Sequence, residues 1–505
     1  MEMAYITFKE ALLVWAVLIT SISAISYNNG PGYKCSFGQS CWPSIQEWAS
    51  FNSSLSGNLY RTVPYAARCY CESPYYDPST CALIALNYTI GEARTTSCLS
   101  HTCALNANNT SRTLSEQCSL GRQSSLYVDT HETGHVVTTI KFAQTHKLRV
   151  SIKNTGHDYF GRSTNPDALA IWTHNMKMKY HTNFTAFQCT ASNGENIGEI
   201  GAGAQAGDVY TYFQKFGMYV TGGNEGSVSL AGGFGHGGSH GIFAPPYGLM
   251  VDNAVEFDVV TADGQLRTIH QCTFGVLISY RLQLYPAVKI NAYSFKANYT
   301  IPDNQTSSYP VLKDILTQHA TYQPDWSNNN ISGHAYYWPT KVEIYLSVYT
   351  TYPKYTDFLQ LTNSIADKLT PAGIFELVAG RLIPRSLFTS SQTITGLVDA
   401  VIKGMRISQN LIAGGLTQII MTTPVNHRNG NNTSANPAWR TSPWHLLMTA
   451  GWSDDISVSN QTTLYESFLD TIQQLKDLTP SGGCYYDPSH FFDCCKCVGW
   501  EGPSE

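Results

Sequence analysis

Hydrophobic positions change their spacing several times along this 505-residue chain. From Val136 to His146 apolar side chains recur at helical intervals, which predicts a helix with one buried stripe. Leu148 to Ile152 reads as a short strand, and Ile197 to Ala202 and Ala254 to Thr261 as two more. Asp208 to Phe216 returns to helical spacing, while Phe274 to Leu284 and Ile290 to Phe295 read as strands. Lys341 to Tyr349 alternates polar and apolar residues, as a strand with one buried face should. Period-2 spacing then puts Glu343, Tyr345 and Tyr349 on one face of that strand. The length is ample for a sizeable core and implies more than one domain. No internal repeat is visible.

The N-terminus departs from these patterns. Lys9 precedes an apolar run from Ala11 to Ile19, and small residues follow at Ser21, Ser23, Ala24 and Ser26. This is a signal-peptide pattern over residues 1–25, shorter than a bilayer span. A membrane anchor is the alternative; nothing later in the chain is long and apolar enough to span a bilayer. Residues 26–117 form a Cys-rich lead-in. Fourteen cysteines in a secreted chain imply disulfides, with Cys35 and Cys41 as the nearest local pair. The cysteine spacings are irregular, and an oxidising compartment favours bridges over a zinc site. Glycosylation sequons recur from Asn52 to Asn460. The net charge of −5, with no basic run, gives no footprint for nucleic acid.

Two glycine-punctuated stretches carry the candidate chemistry. In the first, the run Val150 to Ile152 breaks into Asn154, Thr155, Gly156, His157 and Asp158, with Gly161, Arg162 and Ser163 just beyond. A turn of this kind exposes successive backbone amides that can hold phosphate, and an imidazole fixed beside it can attack an electrophilic cofactor. A surface turn with a solvated histidine is the bland alternative. In the second, Gly222 to Gly241 is dense in glycine, which favours close backbone approach or positive φ. It lacks the Gly-Lys-Ser/Thr of a phosphate-binding Walker loop, and the spacing does not match a dinucleotide fingerprint. Val228, Leu230, Ala231 and Phe234 give it apolar anchors that a flexible linker would not need.

These two runs resemble those of the FAD-linked oxidases of the vanillyl-alcohol oxidase and berberine-bridge class. Cys118 to Arg122, Ala170 to His174, Tyr247 to Asn253, Val259 to Gly264 and Pro437 to Arg440 resemble further motifs of that class in the same order. The resemblance implies an α+β fold with a PCMH-type, two-subdomain FAD-binding domain over residues 118–287. It also implies an antiparallel-sheet substrate domain over 288–440 and a return to the flavin domain over 441–505. It implies FAD bound covalently through His157, with Asn154, Thr155, Gly156, Asp158, Gly161, Arg162 and Ser163 around the pyrophosphate. Ser227, Gly232, Gly233, Gly237, Gly238 and His240 would form a second wall. Many berberine-bridge relatives attach the flavin a second time through a cysteine. Glu225 stands in that place here, so no second cysteinyl bond is expected.

Oxidases of this class take hydride or a proton from substrate with help from a Tyr or Glu of the substrate sheet. Tyr345, Glu343 and Tyr349 are the candidates, with packing or solvated sheet-face residues as the alternative. The expected partners are a small organic substrate, such as a carbohydrate or secondary metabolite, and oxygen. The protein is expected to be a secreted monomer with no metal, nucleic-acid or membrane partner. An inactive flavoprotein or binding protein that keeps the fold is the second reading, and a Cys-rich structural glycoprotein the third. Two departures motivate the second reading. A segment that relatives carry between Cys272 and Thr273 is missing, and Cys494 to Glu505 is unlike the family's ending. The Cys494 to Cys497 cluster with His490 is read as a tail rather than a metal site.

Overall fold

A computed structural model of the chain describes residues 35, 38–87, 103, 105, 118–158, 161–185, 193–269, 275–288, 290–299, 309–349, 377–411, 416–427, 433, 435–450 and 458–480. The signal-like segment, the Cys272–Thr273 junction and the terminal Cys cluster with His490 lie outside the described residues. The chain divides into two compact units. One comprises Met1–Val209, Glu225–Gly233 and Val255–Arg281; the other comprises Tyr210–Asn224, Phe234–Ala254 and Leu282–Glu505.

The first unit begins with helix α1 (Ile45–Ser54), whose start is fixed by a capping box between Ser44 and Glu47. Its buried Trp48 and Phe51 pack on helix α3 (Thr133–Thr145), with Phe51 stacked on Phe142 at 4.0 Å. Helix α2 (Pro78–Asn87) lies between them in sequence and is capped by the Asp77 carboxylate. On α3 the buried residues are His135, Val136, Thr139, Ile140 and Ala143, which is the single stripe that the sequence spacing predicts. Strands β1 (Leu59–Arg61), β2 (Leu126–Asp129), β3 (Arg149–Lys153) and β4 (Ala168–Trp172) form a sheet in the order β1-β2-β4-β3. The β2–β4 and β3–β4 pairs are parallel and β1–β2 is antiparallel. The Cys-rich lead-in thus contributes β1 to the first sheet, and its disulfides staple it. Cys35–Cys41 forms as the spacing suggests, and Cys69–Cys81 and Cys103–Cys118 join it.

A second sheet of this unit runs β5-β6-β9-β7-β8, from β5 (Lys179–Thr185), β6 (Asn193–Gly201), β7 (Ala254–Val260), β8 (Leu266–Ile269) and β9 (Val276–Gln283). Strand β8 had no counterpart in the sequence reading. It pairs with β7 as a hairpin around Gly264, whose φ of +70° needs glycine. Across three neighbouring strands, Arg281 reaches Asp258 at 2.7 Å, Glu199 at 2.9 Å and Glu256 at 3.6 Å. Helix α4 (Ala206–Gln214) follows β6.

The second unit is built on a six-stranded, fully antiparallel sheet: β10 (Ile290–Asn298), β11 (Ser332–Trp338), β12 (Lys341–Tyr349), β13 (Leu377–Ile383), β14 (Leu416–Ile420) and β15 (Trp444–Ala450). Their order is β10-β12-β11-β14-β15-β13. Even-numbered residues of β12 (Val342, Ile344, Leu346, Val348) join one core with Leu312, Leu316 and Ala320 of α5 (Pro310–Asn328). Leu397, Val398, Val401 and Met405 of α6 (Ser391–Leu411) and Phe468, Ile472 and Leu475 of α7 (Val458–Leu478) complete it. Each such side chain contributes about 1.5–3 kcal/mol on burial. The boundary expected at 440 falls inside this unit. Strand β15 pairs with β13 and β14, and α7 packs into the same core, because the sheet needs β15 to join β13 to the rest.

Candidate functional site

In the first unit, β3 ends at Lys153 and the chain turns through Asn154, Thr155, Gly156 and His157. The indole of Trp172 donates to the Asn154 carbonyl at 2.9 Å, and Thr173 N donates to Lys153 O at 2.9 Å, so the start of the turn is tied to β4. Gly156 has φ of +79°, which a side chain resists. The backbone amides of Thr155, Gly156, His157 and Asp158 donate to no acceptor among the described residues. Asn154 donates through Nδ2 to Ala202 O, while its buried Oδ1 has no partner among the described residues. Arg162 pairs with Asp158, so the acidic charge in the turn is neutralised locally. Lys153, Ser163, Gln123 and Ser124 border a small cleft beside the turn, closed on its apolar side by Tyr127 and Trp172.

The segment Glu225–Gly233 lies against this turn. Gly207 N donates to Gly226 O at 2.9 Å, Ala206 N to Val228 O at 2.8 Å and Leu230 N to Ala204 O at 3.2 Å. Gln205 Nε2 holds the Ser227 carbonyl at 3.1 Å. Ser227 is therefore fixed from both sides, and its Oγ meets His157 Nε2 at 2.9 Å. A Cβ on Gly232 would stand 2.8 Å from Asn154 Nδ2, so the close approach of the two segments needs a glycine there. Gly233 faces open space. Desolvation lowers the pKa of half-buried His157, and the charge of Glu225 opposes that shift. The ring is thus held neutral, the state in which one nitrogen keeps a lone pair.

In the second unit the sheet face opposite the helices is polar and aromatic. Register aligns His334 with Tyr345 and Ile420, Tyr336 with Glu343 and Gln418, and Ile420 with His445. Glu343 is fully buried, accepts from Tyr345 Oη at 2.7 Å and pairs with Lys341 Nζ at 2.5 Å. Burial pushes the Glu343 carboxyl up. The hydrogen bonds from Lys341 and Tyr345 and the charges of Lys341 and Lys296 outweigh that, and the carboxyl stays below its ordinary range. Burial, then the bond to Glu343, raise the Tyr345 phenol, so it stays protonated. The side chain of Tyr349 lies outside the described residues; its backbone pairs with Ile290.

Further along, His240 stacks on Trp439 at 5.5 Å and bonds Thr422 Oγ1 at 2.6 Å, with His334 and His445 each 6.4 Å away. Removal from water holds His334 at about 4 and His445 at about 3, and it lowers His240 well below the ordinary value, helped by those two neighbours. Gly237 is buried, and Gly238, with φ of +101°, accepts from Val251 N at 3.1 Å. Two motifs that are remote in sequence meet here. Arg440 grips both carboxylate oxygens of buried Asp252, and Trp439 packs with Leu249 and Val251.

The predicted residues therefore fall into two groups. Asn154, Thr155, Gly156, His157, Asp158, Gly161, Arg162, Ser163, Ser227, Gly232 and Gly233 belong to the first unit. Gly237, Gly238, His240, Glu343, Tyr345 and Tyr349 belong to the second. Sequence reasoning missed His334 and His445. Each occupies an alternate position of a strand, and only the register brings it to this face.

Residues 124–270 match a family model described as an FAD binding domain. An FAD-linked oxidoreductase of Gibberella zeae is 27% identical over 94% of this chain and 89% of its own length. A VAO-type flavoprotein oxidase of Thermothelomyces thermophilus is 34% identical over 48% of this chain and 42% of its own. The chain is an FAD-linked oxidoreductase. Among solved structures, a VAO-type flavoprotein of Myceliophthora thermophila shares the fold of this oxidoreductase with a TM-score of 0.77 at 21% identity, covering 93% of this chain and 97% of that one. A second from the same organism has a TM-score of 0.73 at 24% identity, covering 90% and 89%. The α+β fold is thus that of the VAO-type flavoproteins. The residues of the first unit fit FAD on their own chemistry: the amides of the turn and Lys153 suit a pyrophosphate, and Asn154 Oδ1 is a buried acceptor that lacks a donor among the described residues.

Proposed function

We propose that this oxidoreductase is a secreted oxidase of a small organic substrate, a carbohydrate or secondary metabolite, with its FAD attached through His157 alone. The observation that carries the reading is the neutral His157 ring, fixed by Ser227 beside a turn of unpaired amides. When bound, FAD accepts hydride from substrate and passes electrons to oxygen. Backbone amides of Thr155 to Asp158 hold the pyrophosphate, with Asn154, Gly161, Ser163 and Lys153 around it. The Arg162–Asp158 pair keeps the turn from repelling that charge. Ser227, Gly232 and Gly233 form the wall held against the turn. Gly237, Gly238 and His240 belong to the second unit, where the low pKa of His240 keeps it a neutral hydrogen-bonding group.

Substrate activation falls to the polar sheet face. Tyr345 is the catalytic residue; its Oη takes the proton of the substrate hydroxyl as it hands its own to Glu343. The depressed pKa of Glu343 keeps the carboxylate ionised, so that it accepts the Tyr345 hydrogen bond. Tyr349 stands at the end of the same strand as a further candidate contact. Three disulfides among the described residues of the first unit support folding in an oxidising compartment. The protein is expected to act as a monomer.

The test is direct. Protein recovered from culture medium should be yellow, keep its flavin through acid precipitation and release hydrogen peroxide with its substrate. His157→Ala should lose its flavin to the acid supernatant or bind none. Acid-stable flavin on His157→Ala would defeat the assignment. Stoichiometric flavin with no peroxide from any sugar or phenolic substrate would favour the inactive flavoprotein.

A further inference from the structure

The hydrogen bonds around His157 continue past Ser227. The Ser227 hydroxyl donates to Glu225 Oε1 at 2.7 Å, and the Ser227 amide donates to the same oxygen at 3.2 Å. A carboxylate only accepts. The single hydroxyl proton of Ser227 is therefore spent on Glu225, and the Ser227 oxygen is left to accept from His157. That fixes the tautomer: Nε2 carries the ring proton and Nδ1 carries the lone pair. Nδ1 makes no hydrogen bond among the described residues. The chain of contacts ends at an exposed carboxylate, from which a proton can leave to water. The backbone ladder between 204–207 and 226–230 holds Ser227 in register for this task.

We infer that Glu225 and Ser227 form a proton-accepting relay that orients His157 and drives its bonding to the flavin. This rests on the reading of His157 as the attachment point and adds two positioning residues to it. In the step, a bond forms between His157 Nδ1 and the carbon of the flavin 8-methyl group, and one carbon–hydrogen bond of that methyl breaks. The Nε2 proton moves to Ser227 Oγ as Ser227 passes its own to Glu225. The electron pair left by the methyl proton reduces the flavin ring. Dioxygen is the oxidant, and it leaves as hydrogen peroxide with those two electrons and the two protons released. Glu225 thus gives the position a role in making the one bond, where many berberine-bridge relatives use a cysteine to make a second.

The experiment reconstitutes apoprotein with FAD and follows acid-stable flavin against time and pH, with non-covalent FAD binding measured in parallel. Glu225→Gln and Ser227→Ala should bind FAD yet attach it about 10- to 100-fold more slowly, a fraction of what a positioned base contributes. Glu225→Asp should recover most of the rate. A purely structural role predicts no characteristic pH response, whereas the relay does. The charge of Glu225 raises the His157 pKa, so Glu225→Gln should move the acid limb of the attachment rate to lower pH while lowering its plateau. If Ser227→Ala fails to bind FAD, Glu225→Gln, at an exposed position, decides. Wild-type plateau rates in Glu225→Gln, with His157→Ala still acid-labile, overturn the relay and leave the attachment reading standing. Acid-labile flavin in the wild-type protein, or acid-stable flavin on His157→Ala, overturns both.

Discussion

The turn at His157 and the polar face of the six-stranded sheet solve different problems with different materials. The turn presents backbone. Its useful groups are amides exposed by Gly156, at a positive φ, and a glycine at 232 that admits a second segment within contact of Asn154. The sheet face presents side chains. Glu343, Tyr345, His334 and His445 come from three strands and are aligned by pairing register. A backbone cradle suits a cofactor whose phosphates are the same in every turnover. A side-chain face can change with each substrate while the ladder beneath it stays fixed.

The largest expected effect breaks that comparison cleanly. His157→Ala should abolish acid-stable flavin altogether. Tyr345→Phe should leave the acid-stable flavin at the wild-type level and lower kcat/KM by about a hundred- to ten-thousand-fold, the usual contribution of a positioned acid–base group. Flavin stoichiometry by absorbance after acid precipitation, read beside steady-state kinetics, separates the two. Loss of attached flavin in Tyr345→Phe would mean that the division of labour is wrong.

The two regions also differ in how far the sequence betrays them. The His157 turn was legible because its parts are contiguous: a strand, a glycine at positive φ and a histidine within a few residues. The Lys341–Tyr349 strand was equally legible, since alternation alone sorts Val342, Ile344, Leu346 and Val348 to the core and Glu343 and Tyr345 to the other face. What was not legible depends on pairing between distant segments. Nothing near His334 or His445 says that they approach His240, and nothing near Asp252 says that Arg440 will grip it. Glu225 and Ser227 were visible one at a time. Their bond to His157 exists because 226–230 is laced onto 204–207. That Trp444–Ala450 joins the six-stranded sheet was hidden for the same reason, since a strand's sheet is set by its partners.

Two arginines sharpen the comparison at a lower energy. Arg281→Met removes the cation shared by buried Glu256, Asp258 and Glu199 in the first unit, and Arg440→Met removes the one that faces Asp252 in the second. Removing one partner of a buried pair costs about 3–5 kcal/mol. Thermal unfolding should show each loss, with flavin binding weakened by Arg281→Met and the Trp439–His240 stack disturbed by Arg440→Met. The acid response has a definite sign. Desolvation raises the Asp258 carboxyl, but Arg281, Thr268 and Ser279 more than offset it and leave its pKa lowered. Its stabilising contribution is therefore full above the unfolded pKa and is lost as pH falls through the folded one. Arg281→Met should remove that part of the acid sensitivity.

Glu343 gives the corresponding test in the second unit. Its pKa is depressed against burial by Lys341, Tyr345 and Lys296. Activity that needs the carboxylate should persist to a pH below the ordinary carboxyl range. Lys341→Met removes a hydrogen bond and a charge that favour ionisation, so the acid limb of kcat/KM should move to higher pH. An unmoved limb would mean that Glu343 is not the group receiving the proton.

The smallest effect is the most discriminating about where function resides. Ser44 and Asn436 both cap short helical segments. Ser44 accepts from Glu47 N at 3.3 Å on an exposed helix, and buried Asn436 accepts from Ala438 N at 2.9 Å at the start of the turn Pro437–Arg440. Losing either cap to alanine should cost about 1 kcal/mol. Similar local energies should give different outcomes. Ser44→Ala loosens a helix whose Trp48 and Phe51 face only their own core, so turnover and flavin attachment should not change. Asn436→Ala loosens the turn that carries Trp439 under His240 and Arg440 onto Asp252, and kcat/KM should fall although stability falls no further. The comparison needs only thermal midpoints and initial rates on the two variants. Equal rates for both would mean that the stacked Trp439 and His240 do not bear on turnover, and would confine the working part of the second unit to Glu343 and Tyr345.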